Sequence, residues 1–333
     1  MSATPELATP WRIGPVTIAN RVVLAPLAGI GNWFVRLQAK RYGAGLAVSE
    51  MVSSFAVHHR NEKTLRELLR IHPDERARGP ISIQLFGQDP EVMRSAAATV
   101  AARGADLIDL NMGCPVPKVC KTGAGAALLK DPDTAVAVAR AAREGSGLPV
   151  TVKLRSGQRP GETDGYELAH RLVHDAGVSA IGFHPRSAAV HHKGEPDYDL
   201  AARLVASLDA PVVLTGGLRT PQAIRTAHER TGAAAVMLAR GALGNPWLFE
   251  QVLGTRAAEP TREEVLAELH WVMDRAVEHL GPERGARYLR KFYPWYLDRL
   301  DASKTVQRAL QETATVAEAR AVLDGLDGLA AAA

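Results

Sequence analysis

The chain has 333 residues, 46% hydrophobic and 23% charged, enough for one large domain and a smaller one with proper cores; a disordered or fibrous protein is excluded. Lysines and arginines number 40 against 36 acidic residues, and the resulting net charge of +4 allows a polyanionic partner without demanding one. Apolar runs are short, far below the roughly 20 residues that cross a bilayer, and the N-terminal segment has the pattern of neither a secretory signal nor an Arg-rich transit peptide. No membrane association and a cytoplasmic location are therefore expected.

Short β-rich runs recur at residues 22–25, 46–49, 81–85, 107–110, 150–154, 180–183, 212–214 and 235–238. Between many of them lie Ala/Arg/Glu-rich stretches of helical period, at 90–103, 133–143, 166–176 and 221–230, each ending near a glycine. Strict alternation of strand and helix predicts a parallel sheet, and eight such units within about 250 residues fit a (β/α)8 TIM barrel or a doubly wound open sheet. The barrel is favoured because every strand is followed by something polar or by glycine. Pro26-Leu27-Ala28, Glu50, Gln84, Asn111 with Cys114, Lys153 with Arg155, His184 with Arg186, Gly216-Gly217 and Arg240-Gly241 would converge on one rim only in a closed barrel. After Trp247 no strand-like run appears, and 261–280, 282–300 and 302–326 read as helices. The expected organisation is a barrel over residues 1–250 and a helical domain over 260–333.

The segment "LIDLNMGCPVPKVCKTGAGAALL" places Asn111, Cys114 and Lys118 in a Gly/Pro-punctuated loop on that rim. A thiol is mostly protonated at neutral pH and can serve as a general acid or a nucleophile; for Cys120 a buried packing role is expected instead. The two cysteines cannot form a disulfide scaffold, and C-x5-C offers no second ligand pair for zinc. His58-His59 and His191-His192 lack accompanying carboxylates and read as exposed loop residues, so no metal is expected. Lys153 and Arg155 share one side of their strand, and two cations aimed inward call for an anion. "LTGGL" and "ARGALGNPW", after the last two strands, occupy the positions where such barrels cradle phosphate through backbone amides.

In the C-terminal region Arg284, Arg287, Arg290 and Lys291 fall within a helical arc of about 120°. Tyr288, Phe292, Tyr293, Trp295 and Tyr296 lie beside them. Bases could stack on these rings while the cations hold phosphates; the alternative is an aromatic core with a solvated face, since 262–308 is nearly charge-balanced.

From "APLAG" through "LNMGCPVPKV", "VKLRSG", "GFHPRSA" and "RGALGNPW" to "LRKFYPWY", the sequence resembles the tRNA-dihydrouridine synthase family, closest to its bacterial B-type members. The resemblance implies FMN on the rim, NADPH as electron donor, and reduction of the C5–C6 double bond of a D-loop uridine in tRNA. It implies Pro26, Leu27 and Ala28 against the flavin, Gln84, Lys153 and His184 at its ring edge, and Thr215, Gly216, Gly217, Ala239 and Arg240 at its phosphate. Cys114 would protonate C5, with Asn111, Arg155 and Arg186 near the base and Arg287, Arg290 and Lys291 contacting tRNA. Three positions depart from the family pattern: Thr215 where Asn is usual, Ala239 where Gly is usual, and Phe292 where His is expected. The competing readings are an FMN barrel oxidoreductase acting on a free pyrimidine and a non-catalytic tRNA chaperone.

Overall fold

The computed structural model describes residues 6–330. Strands β1 (Trp11–Ile13) and β2 (Val16–Ile18) form an antiparallel hairpin around Gly14-Pro15. The barrel follows, as β3 (Val22–Leu24), β4 (Leu46–Val48), the two-residue β5 (Val52–Ser53), β6 (Ile81–Phe86), β7 (Leu107–Met112), β8 (Val150–Arg155), β9 (Ala180–His184), β10 (Val212–Thr215) and β11 (Ala235–Leu238). All neighbouring barrel strands are parallel, and pairing of β11 with β3 and of β4 with β6 closes an eight-stranded ring, with β5 laid along the end of β6. The eight strands read from the sequence are all present, with ends shifted by no more than two residues.

Alternation along the strands separates two cores. On β8, Val150, Val152 and Leu154 face the surrounding helices and are fully buried, while Thr151, Lys153 and Arg155 face the barrel axis. At the N-terminal ends of the strands the axis is apolar: Leu46, Leu107, Ala180 and Ala235 pack there with Trp11, Ile13 and Ile18 of the hairpin, which stops that mouth. The hairpin escaped the sequence reading because three-residue strands are too short to show a period. With the bottom plugged, polar interior residues can open only toward the C-terminal rim.

Beyond the barrel, helix Arg262–Leu280 starts at a capping box between Thr261 and Glu264. The single helix expected over 282–300 is two, Pro282–Leu289 and Tyr293–Arg299. Lys291 N and Phe292 N bond three residues back, tightening the turn, and Pro294 restarts the helix in its first turn, where its missing N–H costs nothing. The stretch 302–326 is likewise interrupted, giving Lys304–Glu312 and Val316–Ala330. Thr315 Oγ1 accepts from Glu318 N while Glu318 Oε2 accepts from Ala314 N, and these side-chain bonds begin a new helix.

These helices pack on Trp33–Arg41, the helix after β3, through a buried polar hub. Glu268, 4% exposed, accepts from Gln38 Nε2 at 2.8 Å, Tyr42 Oη at 2.7 Å and Arg41 Nη1 at 3.1 Å, and Tyr296 Oη accepts from the same Gln38 amide. Removing the carboxylate leaves Tyr42 Oη and Arg41 Nη1 without that acceptor and Gln38 with Tyr296 Oη alone. Glu268→Ala should therefore destabilise the protein by about 3–5 kcal/mol, read as a lower urea midpoint, whereas a midpoint equal to the parent's would show the hub to be dispensable.

Candidate functional site

The C-terminal rim encloses a cavity of about 330 Å³. Pro26, Leu27, Ala28, Gln84, Asn111 and Cys114 reach it from β3, β6 and β7; Lys153, Arg155, His184, Arg186, Thr215, Gly216, Gly217, Ala239 and Arg240 reach it from β8 to β11. Every barrel residue singled out from the sequence for binding or catalysis thus lines one space. In the ring order β7 stands diametrically opposite β11, so the Cys114 loop faces the glycine loops across the mouth.

Those glycine loops have a conformation that side chains would spoil. Gly216 has φ +106° and Gly217 +79°; a Cβ on the first would drive into the His184 ring, and one on the second would lie 2.6 Å from Tyr198 Oη. Tyr198 Oη donates to Gly216 O at 2.9 Å, fixing the turn from outside. Thr215 directs its hydroxyl to Met237 O at 2.9 Å, tying β10 to β11 below the loops.

The site is electropositive. Lys153 is lowered to about 8, first by burial and then by the Arg155 charge, with Asp109 and Cys114 opposing; its Nζ has no hydrogen-bond partner among the described residues. Arg155, only 4% exposed, donates from Nε to Gly113 O at 3.0 Å and from Nη1 to Ser187 O at 3.0 Å and His191 O at 2.7 Å. Arg186 donates to Gly194 O through Nε and Nη2, and its Nη1 stands 3.3 Å from His184 Nε2. A guanidinium only donates, so Nε2 of His184 accepts and the ring proton sits on Nδ1. Burial, followed by Lys153, Arg155 and Arg186, pushes the His184 pKa far below its usual range, consistent with a neutral ring.

A chain of hydrogen bonds runs under the thiol loop. The Asp109 carboxylate, 3% exposed on the barrel axis, accepts from Thr151 Oγ1 and, at 2.6 Å, from Gln84 Nε2. Gln84 Oε1 accepts from Asn111 Nδ2 at 3.0 Å, and Asn111 Oδ1 accepts from Cys114 N at 2.9 Å and Gly113 N at 3.2 Å. The second Asn111 N–H points to Met51 Sδ at 3.5 Å. Both donors of Asn111 are thus committed within the protein, and its evident work is to hold the loop. Cys120 supports the same loop, its thiol 3.3 Å from Cys114 O.

The C-terminal stripe is not arranged as the sequence suggested. Phe292, Tyr293 and Tyr296 are at most 3% exposed and Tyr288 Oη accepts from Asn32 Nδ2, so these rings are core and offer no stacking face; that position of Phe292 also removes it as a surface contact. Arg284 forms a two-pronged pair with Glu67 and Arg290 donates to Thr313 O. Lys291 bonds Gly29 O at 3.0 Å beneath the loop that lines the cavity. Arg287 is exposed with no partner among the described residues. Sequence reading missed Met51, Arg219 and His192, which line the cavity from loops without a periodic signal. His192, set aside as a loop histidine, sits over His184 at 6.0 Å between ring centres and is lowered to about 4 by partial burial and then by Arg240 and its neighbours.

Residues 23–332 match the family described as Dihydrouridine synthase (Dus). Among named relatives, tRNA-dihydrouridine synthase B of Xanthomonas campestris pv. campestris is 36% identical over 330 residues, covering 95% of this chain and 96% of that protein. The protein of the same name from Pseudomonas aeruginosa is 35% identical over 301 residues, covering 88% of each. Among solved structures, a morphinone reductase N189A mutant in complex with tetrahydroNAD superposes with a TM-score of 0.58 at 15% identity, covering 78% of this chain and 94% of that one. The old yellow enzyme homologue from Zymomonas mobilis gives 0.58 at 17% identity, covering 78% and 96%. At such identity these structures speak to the barrel fold alone.

Arg155 is the tie between the thiol loop and residues 187–191. In Arg155→Ala, three carbonyls lose their donor, and the amides of Ala188, Ala189 and His191 should exchange with solvent about tenfold faster or more. Unchanged exchange at those amides would remove the tying role.

Proposed function

The chain belongs to the dihydrouridine synthase family, and we propose that it is a flavin-dependent tRNA-dihydrouridine synthase that uses FMN and NADPH to reduce a D-loop uridine of tRNA in the cytoplasm. The observation that carries this reading is a cavity with a glycine cradle and unneutralised cations on one wall and a firmly held thiol loop on the other.

The residues present fit FMN. The Gly216–Gly217 turn lines the cavity in a positive-φ conformation that a side chain could not adopt without striking His184 or Tyr198, and exposed Arg219 and Arg240 flank it without partners among the described residues, which suits a phosphate. Lys153 brings an enclosed ammonium, and Gln84 an amide N–H, to the same cavity, which suits the electron-rich edge of a planar ring; Pro26, Leu27 and Ala28 offer it an apolar wall. When bound and reduced at the expense of NADPH, the flavin supplies the hydride for C6 of the uracil.

The chain's own residues do the rest. Cys114 delivers the proton to C5 from a loop pinned by Asn111 and Arg155, so the thiol needs little reorganisation to reach the base. The remaining nitrogen of Arg155, Nη2, has no partner among the described residues and is available to a uracil oxygen. Neutral His184 and the Arg186 beside it close the wall. The uridine enters as a flipped base, at an unstacking cost that a loop nucleotide keeps small. We assign the barrel, residues 1–250, to catalysis and the helices within 260–333 to tRNA, with Arg287 as the phosphate contact and Arg290 and Lys291 bracing that surface through Thr313 O and Gly29 O.

Two outcomes are expected. Cys114→Ala should keep its flavin and its reduction by NADPH while tRNA reduction slows by roughly 10²–10⁴-fold, as loss of a general acid dictates; full turnover would refute the assigned role. Lys153 is cationic below about pH 8, so FMN affinity of the apoprotein, followed by quenching of flavin fluorescence, should fall as pH rises from 7 to 9, by up to about tenfold per unit. Lys153→Met should bind more weakly at pH 7 and lose that slope; a slope retained in the variant would place the titrating group elsewhere.

A further inference from the structure

An amide side chain can lie either way round, and its two orientations present opposite hydrogen-bonding edges at nearly equal shape. Gln84 and Asn111 stand in series between the barrel axis and the thiol loop, so their orientations are coupled: if one turns over, its neighbour must turn as well. Both ends of the chain favour one sense: the Gly113 and Cys114 N–H groups can only donate, and at the far end stands a carboxylate that can only accept. The Asp109 carboxylate draws the Gln84 amino group to itself at 2.6 Å, which leaves Gln84 Oε1 toward Asn111. Asn111 must then turn its amino group to Gln84 and its oxygen to the loop, where Cys114 N and Gly113 N donate to it. With the sense reversed, Asn111 Nδ2 would face two backbone N–H groups, and the loop would lose its anchor.

We propose that Asp109 is a positioning residue for the reaction assigned above: it sets the sense of the Gln84–Asn111 pair and thereby pins the Cys114 loop and gives the cavity a Gln84 N–H donor. It touches neither substrate nor cofactor and acts through Gln84. The observations fit this role better than a purely structural one. Asp109 has no cationic hydrogen-bond partner, and a carboxylate bonded only to a hydroxyl and an amide is a poor way to stabilise a barrel interior. Its burial is offset by no ion pair, so the group makes sense as a fixed acceptor.

Thr151 gives a test free of gross disruption, because a hydroxyl can donate or accept. Thr151→Val alone leaves the carboxylate to accept from Gln84 and should be silent. Asp109→Asn alone can keep the native sense, with the new amide accepting from Gln84 and donating to Thr151 Oγ1, so the Gly113 and Cys114 amides should stay as protected as in the parent. In Asp109→Asn/Thr151→Val the new amino group finds no acceptor at 151 and turns to Gln84 Oε1, reversing the pair. The single and double Asn variants lack the same charge, so the effect of that charge on Lys153 cancels in their comparison.

On the FMN-loaded protein, the double variant should exchange the Gly113 and Cys114 amides at least tenfold faster than either single variant, and single-turnover reduction of tRNA by the reduced enzyme should fall by tenfold or more. NADPH reduction of the flavin should stay within about threefold. Equal exchange in all three variants would overturn the proposal, as would a double variant that loses tRNA reduction with these amides still protected. The exchange measurement needs no substrate, so it decides the role of Asp109 even if tRNA proves not to be reduced by the parent protein.

Discussion

The site depends on keeping several positive charges close together without neutralising them. Lys153, Arg155 and Arg186 crowd the floor and wall of one cavity, an arrangement that Coulomb repulsion and desolvation both oppose. The fold answers with carbonyls. Arg155 is held by Gly113, Ser187 and His191, and Arg186 by Gly194, all through main-chain oxygens. Other arginines meet carboxylates: Arg36 meets Glu75 in a fully buried pair, and Arg284 meets Glu67. Carboxylates fix an arginine and cancel its field; carbonyls fix it and leave most of that field for an anion. Around the cavity the carbonyl partners thus hold two guanidinium groups in place without cancelling their charge.

That distinction explains what the sequence could and could not reveal. The eight strands were legible because their apolar runs and intervening amphipathic helices carry the period of a closed barrel, and the alternation on β8 put Lys153 and Arg155 on one side before any coordinates were known. Loops carry no period, so Met51, Arg219 and His192 could not be distinguished from ordinary connections. Nor does residue type reveal a partner. Arg284, Arg287, Arg290 and Lys291 look alike on a helical wheel, yet among the described residues three have partners and Arg287 has none. The aromatic residues beside them illustrate the same limit: spacing sets a face, and packing decides whether that face meets water or, as for Phe292, Tyr293 and Tyr296, the Trp33–Arg41 helix and its neighbours.

The helical region reaches the cavity through one short loop. Lys291 Nζ donates to Gly29 O, and the buried Glu50 accepts from Gly29 N at 2.8 Å, so the peptide groups around Gly29 are gripped from both sides next to Leu27 and Ala28. Glu50, singled out among the residues that follow the eight strands, turns away from the cavity to do this. Burial raises its pKa, while the Gly29 N–H and the Arg36 and Lys291 charges pull it back down. An acidic residue at the rim therefore contributes to the site by holding its wall, and it keeps a negative charge out of a space arranged for anions.

The departures from the family pattern fit the same economy of backbone contacts. Thr215 is buried and its hydroxyl is committed to Met237 O, so what it offers the cavity is the start of the Gly216–Gly217 turn, with its main-chain groups. Ala239 follows β11 at the opposite edge of that turn, with φ −121° and ψ −106°, and adds only a methyl group to the lining. Neither position needs a side-chain donor for the proposed phosphate site, which would draw on peptide N–H groups and on the flanking Arg219 and Arg240. Glycine at 216 and 217 is another matter: there the neighbouring His184 ring and Tyr198 hydroxyl occupy the space a side chain would take. Tolerance and intolerance at adjacent positions follow from whether the backbone or the side chain carries the contact.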